Sequence, residues 1–76
     1  MVSYILINTK PAMEHQVYDE LKLNENVIEV HPLFGDYDLL VKIDVENFDN
    51  LGKIILEEIR KIDGVDDTKT LTGVKI

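Results

Sequence analysis

The sequence predicts an α+β fold in which two helices cover one face of a four-stranded antiparallel sheet. Two segments repeat apolar residues every three or four positions, as amphipathic helices do. Four further segments are rich in β-branched and aromatic residues, which favour strands. These segments follow one another as strand, helix, strand, strand, helix, strand. The chain has 76 residues, enough for one small domain.

The first predicted strand, residues 2–7, is apolar at nearly every position. A strand of this composition suits the centre of a sheet, with both faces covered. We expect the following segment, residues 8–11, to end the strand. Pro11 then suits the first turn of a helix, because its ring presets the helical backbone angle and its missing N–H is not needed there.

The first helix is predicted over residues 12–22. Met13, Val17 and Leu21 recur at every fourth position, which places them on one apolar stripe. The acidic side chains at positions 14, 19 and 20 would then face water. We expect the polar run 24–26 to end this helix.

The second and third strands, residues 27–34 and 38–44, form a predicted hairpin around a short turn. Pro32 has no N–H to donate to a neighbouring strand, so the second strand should lie at a sheet edge or contain a bulge. In the third strand, apolar residues at positions 39, 41 and 43 alternate with their neighbours, which indicates one buried face.

The second helix is predicted from a stripe formed by Phe48, Leu51, Ile55, Ile59 and Ile62. Asn47 suits its N-cap, and Gly64 stands where a glycine commonly follows the last turn, with Val65 able to fold back on that turn. We predict a last strand over residues 69–76. Thr68, Thr70 and Thr72 should share one of its faces.

This order of elements, with a right-handed crossover on each side of the hairpin, is the ferredoxin-like βαββαβ fold. Both helices should lie on one side of the sheet. The opposite face, with Tyr4, Leu6, Leu40 or their neighbours, has no predicted covering layer. An uncovered apolar face is a partner site, and a chain this short gains stability by self-association. We therefore expect a homo-oligomer.

The charge and composition of the chain argue against several kinds of partner and site. Eight Lys and Arg residues stand against 15 Asp and Glu residues, and the resulting formal charge of -7 disfavours nucleic acid and membrane surfaces as partners of this chain. The chain has no Cys, which excludes disulfides and thiolate metal sites and fits a reducing cytosol. With no signal peptide or long apolar span in the sequence, we expect a cytoplasmic protein.

Catalysis and metal binding have little support. Asp36 and Asp38 lie near His31 and could serve acid–base chemistry, but turns favour Asp for local hydrogen bonds in any case. No P-loop, Ser–His–Asp order or dinucleotide-binding glycine motif is present. His15 and His31 lack the spacing of metal ligands. We expect neither an enzyme nor a metal or cofactor.

A free amino acid fits the remaining polar residues. Asp36 and Asp38 are acceptors for an ammonium group, and Gly35 allows close approach to backbone N–H donors. Thr68 and Thr70 offer hydroxyl donors for a carboxylate. Strand propensity explains these threonines equally well, and an ordinary turn explains the hairpin residues.

Two motifs resemble the ligand-binding half of Lrp/AsnC transcription factors. Residues 35–42 resemble that family's G-x-Y-D hairpin, and residues 59–70 resemble its I-x-x-I-x-G-V-x-x-T-x-T segment. The first strand and the Glu-rich first helix, residues 4–20, are also similar. The likeness spans essentially the whole chain but excludes the family's helix-turn-helix. We therefore expect a stand-alone RAM (regulation of amino acid metabolism) domain over residues 1–76, without a DNA-binding domain.

The resemblance implies dimers packed through their sheets, often assembled into octamers, with an amino-acid effector between dimers. An aspartate of the hairpin would hold the ammonium, and the Gly35 amides and threonine hydroxyls would hold the carboxylate. His31 and Phe34 would line the side-chain pocket. The resemblance also implies mixed assembly with full-length regulators. The matching effector-binding positions are Val30, His31, Phe34, Gly35, Asp36, Tyr37, Asp38, Thr68 and Thr70.

Two alternatives stay open from the sequence. The first is a small dimeric α/β-barrel enzyme, such as a monooxygenase or isomerase, with its site between sheet and helices. The second is an oligomerisation module that binds no ligand. The identity of the effector and the choice between dimer and octamer depend on geometry that the sequence does not contain.

Overall fold

A computed structural model describes residues 1–74 and 76, and it has the predicted order of elements. The four strands form one antiparallel sheet in the order β2-β3-β1-β4, with the helices on one side, which confirms the predicted α+β fold. The second helix, α2, continues directly into a π-helical segment, Ile54–Ile59. The other bounds are β1 Val2–Thr9, α1 Glu14–Lys22, β2 Val27–Pro32, β3 Leu39–Asp44, α2 Phe48–Lys53 and β4 Val65–Thr72.

The core lies between the sheet and the helices. Odd-numbered residues of β1 and β3 point to the same side because directly opposed strand residues share a face, as in the pairs Ile5–Val41 and Ile7–Leu39. These four side chains are at most 1% exposed. The core side chains contributed by the helical segments are Val17, Leu21, Leu51, Ile54 and Ile59. The strand β1 is central, as predicted, but only one of its faces is covered within this chain.

The other face of the sheet carries an apolar patch that no described residue covers. Leu6 pairs with Leu40, and Tyr4 pairs with Leu71, so these side chains gather on one surface. Three of them are half-buried, and Leu71 is 47% exposed. The predicted open face therefore carries the predicted residues, with Leu71 added.

The segment between β1 and α1 differs from the prediction. Strand β1 does not end at residue 7, since Asn8 and Thr9 still pair with β4. The helix begins at Glu14 and not at residue 12, because Ala12 has a φ of 65°, a left-handed conformation that no α-helix contains. Pro11 lies in this turn and not in the helix. The Lys10 backbone N–H donates to the Gly64 carbonyl at 2.7 Å, which holds this turn against the residue that precedes β4.

The hairpin confirms the edge position, one of the two alternatives predicted from Pro32. Strand β2 is an edge strand and contains a bulge between Val27 and Glu29. It ends at Pro32 and not at residue 34. The Leu33 backbone N–H donates to the Asp38 carbonyl at 2.8 Å, which closes the loop, and β3 begins one residue later than predicted.

The second helix has its predicted N-cap but a different buried stripe. Asn47 accepts a hydrogen bond from the Asn50 N–H at 2.9 Å. The structure buries Ile54 and Ile59, whereas the prediction placed Ile55 on the stripe with Ile59. A π-helical turn explains the difference, because hydrogen bonds between residues five apart bring every fifth side chain to one face. The helix also ends at Ile59, three residues before the predicted stripe does.

The last strand starts earlier than predicted. It spans Val65–Thr72 and not residues 69–76, and Lys75 of the predicted range lies outside the described residues. Thr68, Thr70 and Thr72 share a face, as predicted, since they oppose alternate residues of β1. Gly64 precedes the strand with a φ of +103°, but it does not follow the last helical turn as predicted, because the helical segment ends at Ile59 with Arg60 as its C-cap and a turn separates the two.

Among the described residues, no helix combines the length and the apolar composition that crossing a bilayer requires.

Candidate functional site

The loop between β2 and β3, residues 33–38, forms one side of the candidate site. Gly35 has a φ of +136°, a conformation that side chains other than glycine rarely adopt, so glycine is what lets the chain reverse here. Asp36 is exposed, and Tyr37 is half-buried. The Asp38 backbone N–H donates to the Ile7 carbonyl at 2.9 Å, which anchors the loop to the central strand.

The Asp38 carboxylate is held in place by the end of β1. Its Oδ2 accepts hydrogen bonds from the Thr9 backbone N–H at 2.8 Å and from the Thr9 hydroxyl at 3.1 Å. Its Oδ1 has no hydrogen-bond partner in the part of the chain that the structure describes. Asp38 is therefore a fixed acceptor with one oxygen left for another donor.

A cleft of about 500 Å³ lies between α1 and this hairpin. Helix α1 contributes Glu14, His15 and Tyr18. The hairpin side contributes Pro32, Leu33, Phe34, Asp38 and Leu39. Most of this lining is apolar, with a small number of polar groups, as is usual for small-molecule sites.

The charged groups that line the cleft are carboxylates, although Lys22 lies beside the Tyr18 ring. Glu14 and Asp38 supply two carboxylates, His15 supplies an imidazole, and no Lys or Arg is among the described lining residues. The whole chain carries a formal charge of -7, which adds to the negative potential. The cleft therefore favours an ammonium group near Asp38 and disfavours an anion deep inside.

Two of the predicted site residues, Phe34 and Asp38, line this cleft, and their neighbours Gly35, Asp36 and Tyr37 belong to the same loop. Val30 instead points into the core at 7% exposure, paired with Val41. His31 follows it on the opposite face of the sheet, beside Leu40.

His31 belongs to a polar cluster on the open sheet face. Its Nε2 lies 3.2 Å from Glu29 Oε1, and Lys42 Nζ lies 3.4 Å from Glu29 Oε2. The hydrogen bond from His31, and then the one from Lys42, lower the pKa of the Glu29 carboxyl below its ordinary value, because both stabilise the charged form. This cluster is separate from the cleft.

Thr68 and Thr70 are not next to the hairpin in this chain. They lie on the edge strand β4 and oppose Ile7 and Ile5 of β1, so β1 separates them from β3. Two strand spacings place them about 10 Å from the matching residues of β3. Neither threonine is among the residues that line the cleft.

The sequence interpretation missed the contribution of α1. Tyr18 follows the core residue Val17, and Glu14 lies four residues before Tyr18 on the same helix face. The sequence does show a large aromatic side chain, Tyr18, just outside the predicted stripe. That Tyr18 lines a cleft could not be predicted, because the other wall is the hairpin, which is distant in the sequence.

A second cleft, of about 700 Å³, lies near the opposite end of the sheet. Its lining includes the carboxylates of Asp44, Glu46, Glu57 and Glu58, together with Lys53. Within residues 1–74 and 76, no three histidine or carboxylate side chains gather in a way that could hold a metal ion.

Known proteins share this sequence pattern. The profile of the Lrp/AsnC ligand binding domain matches residues 2–75. The HTH-type transcriptional regulator FL11 of Pyrococcus abyssi is 36% identical over 75 residues, which cover 99% of this chain and 49% of that protein. The chain is thus about half as long as the curated relatives that it matches.

Solved structures share the fold. The hypothetical protein PHS023 from Pyrococcus horikoshii is 31% identical with a TM-score of 0.90, over 100% of this chain and 93% of that one. The transcriptional regulator NMB0573 from Neisseria meningitidis, solved in complex with L-Met, has a TM-score of 0.89 at 16% identity. That match covers 97% of this chain and 49% of the other, and it shows the fold alone.

Proposed function

This chain belongs to the Lrp/AsnC ligand binding domain family, a regulatory domain of transcriptional regulators, and on that premise we propose that it binds a free amino acid and self-associates. The observation that carries the proposal is the Asp38 carboxylate. It is fixed by Thr9 at the edge of an apolar cleft and keeps one oxygen for a donor. The regulators among its relatives support a sensing role rather than a catalytic one.

The two ends of an amino acid have separate partners in this proposal. The ammonium donates to Asp38 Oδ1, with the exposed Asp36 adding negative charge on the same loop. The carboxylate approaches the backbone at Gly35, where an added Cβ would meet nothing within 4 Å and the path is open. Backbone N–H groups in such a turn are good partners for an anion.

Thr68 and Thr70 enter the site from a second copy of the chain. In their own chain they are separated from the hairpin by β1, and the Thr70 side chain is exposed. An interface that brings one copy's β4 edge to another copy's hairpin would place these hydroxyls beside the ligand carboxylate. His31 and Val30 lie near the end of the edge strand β2, and in this proposal they support the hairpin loop rather than contact the ligand.

Self-association is supported by the open sheet face. Tyr4, Leu6, Leu40 and Leu71 form an apolar patch on this face that none of residues 1–74 and 76 covers. Covering it with a second sheet removes that surface from water, the main driving force for stable association. We propose a dimer through this face, higher assemblies built from such dimers, and mixed assemblies with longer regulators that share the domain.

Isothermal titration calorimetry with each of the twenty amino acids tests the ligand part of the proposal. We expect saturable binding of at least one of them, weakened by roughly 5–150-fold in Asp38→Asn because the ammonium loses its charged hydrogen-bond partner. Asp49→Asn, a change at an exposed carboxylate on α2, is the matched control and should bind normally. Thermal unfolding of both variants shows whether the fold is kept. Absence of heat with all twenty would contradict the proposal.

A further inference from the structure

We propose that the effector has an uncharged, apolar side chain, and that this side chain enters the cleft between α1 and the hairpin, where Tyr18 selects it. The inference rests on the proposed amino-acid binding and names the class of ligand. It adds a specificity-determining residue on α1, an element that the hairpin motif does not include.

The first argument is the chemistry of the cleft walls. Tyr18 supplies an aromatic ring from α1, and Leu33, Phe34 and Leu39 supply apolar side chains from the opposite wall. Phe34 is fully exposed and Leu33 is 40% exposed in this chain, although both are apolar. An apolar side chain inserted between the two walls would remove these groups from water, which is favourable.

The second argument is charge. An anionic side chain in the cleft would face the two carboxylates of Glu14 and Asp38, and Lys22, which lies on the Tyr18 ring, is not among the described lining residues that could pair with it. A neutral amide would lose its hydration against walls that offer few hydrogen-bond partners. The carboxylates therefore lower the affinity for amino acids with acidic side chains, and the apolar walls lower it for those with polar side chains.

The third argument concerns cationic ligands. Lys22 Nζ lies 5.7 Å from the centroid of the Tyr18 ring, so an ammonium group already occupies one side of this ring. A second cation at Tyr18 would be repelled by Lys22. Pairing with Glu14 at the exposed rim would leave the apolar walls unused, so an apolar side chain matches the cleft better than a basic one.

Tyr18 is positioned to select because its helix is fixed. Its neighbour Val17 and the next stripe residue, Leu21, are both 0% exposed in the core. Tyr18 itself is half-buried and lines the cleft. The ring thus stands on a rigid support, as a side chain that discriminates between ligands requires.

Four amino acids with side chains of similar length test the inference by calorimetric titration: L-methionine, L-glutamine, L-glutamate and L-lysine. We expect methionine to bind at least about tenfold more tightly than the other three. Tyr18→Ala should weaken methionine binding by about tenfold, and Tyr18→Phe, which keeps the ring, should restore it. Phe48→Ala, an exposed aromatic on α2 outside the cleft, should leave binding unchanged.

The outcomes separate the inference from the proposed function. Equal or tighter binding of glutamine, glutamate or lysine would overturn the apolar assignment while amino-acid binding stands. A preference for methionine that survives Tyr18→Ala would overturn the placement in this cleft. If Tyr18→Ala fails to fold, Phe34→Ala decides, since a fully exposed side chain can be removed without loss of core contacts and should again weaken methionine binding. If none of the twenty amino acids binds, both proposals are wrong.

Discussion

At the scale of single residues, several positions of this chain have two functions at once. Asp38 fixes the end of β1 through Thr9 and has a second oxygen that the proposed ligand would use. Gly64 provides the positive φ of the turn before β4 and also lets α1 approach the start of β4, because an added Cβ would lie 2.8 Å from Val17 Cγ2. Such positions tolerate little change, since a substitution disturbs backbone and packing together.

We predict that Gly64→Ala destabilises the protein by roughly 1–3 kcal/mol, because φ is +103° and the new methyl group would collide with Val17. Gly52→Ala is the matched control. An added Cβ there meets nothing within 4 Å in a helix, and the change should stabilise by up to about 1 kcal/mol. Chemical unfolding of the two variants checks both values, and equal stability of the pair would contradict the prediction.

The Glu29 cluster predicts a pH-dependent contribution to stability. A carboxyl group whose pKa is lowered in the folded state stabilises that state above its ordinary pKa of 4.5 and loses the effect as pH falls through the lowered value. Glu29→Gln should therefore be less stable than the parent above pH 4.5, and the difference should shrink as the solution is acidified below it. Urea unfolding at several pH values measures this difference.

The control for Glu29 is Glu20→Gln, a change at an exposed carboxylate on α1. Its effect on stability should be small at every pH, as is usual for exposed positions. A Glu29 effect that grows on acidification would show that the His31 and Lys42 contacts do not favour the charged carboxylate.

At the scale of elements, the π-helical segment decides which side chains of the second helical region reach the core. A regular α-helix places residues three and four apart on one face, which predicts Ile55 as a core residue beside Ile59. The π-helical turn, with the Arg60 N–H donating to the Ile55 carbonyl at 2.9 Å, places Ile54 there instead. The same turn leaves Leu56 at 57% exposure.

Two truncations on this segment distinguish the registers. Ile54→Ala should cost roughly 2–5 kcal/mol of stability, since Ile54 is buried at 7% exposure and its removal leaves a cavity. Ile55→Ala should cost clearly less, because Ile55 is only partly buried against the core. Equilibrium unfolding in denaturant compares the two. A larger loss for Ile55→Ala would mean that this segment is a regular α-helix.

At the scale of the whole molecule, a single chain covers only one of the two faces of its sheet. The helices cover one side of the sheet, and the other side presents apolar residues to its surroundings. A domain of this size buries only about 60% of the surface of its unfolded chain, so association adds stability that a single core does not supply. The proposed ligand site needs a further contact, between β4 of one copy and the hairpin of another, because Thr68 and Thr70 oppose the core residues Ile7 and Ile5 and so do not lie on the open face.

We predict that Leu40→Lys converts the proposed dimer to monomers while the fold is kept. Leu40 lies in the middle of the open face, so a lysine there would bury an unpaired charge in the interface. Leu23→Lys is the control, since Leu23 is 81% exposed at the end of α1 and off that face. Size-exclusion chromatography with light scattering gives the mass of each variant. A parent chain that is monomeric at micromolar concentration would contradict this prediction.

Local pattern alone settled the order of elements, the edge position of β2, the Asn47 cap and the alternating core of β3. Each of these depends on residues close together in the chain, where periodicity and backbone preference act directly. The hairpin residues of the candidate site were within reach of the same reasoning, because Gly35, Asp36 and Asp38 are neighbours.

Tertiary contacts decided the rest. Strand β4 begins at Val65 because Thr9, 56 positions earlier, offers it a partner, and no local pattern reports that pairing. Tyr18 became part of a cleft only because the hairpin packs opposite α1. Thr68 is separated from the hairpin loop that contains Phe34 because β1 lies between β4 and the hairpin strands. Contacts of this kind depend on the register and placement of elements that are distant in the sequence. They stabilise the protein only after those elements have packed together, so no local pattern contains them.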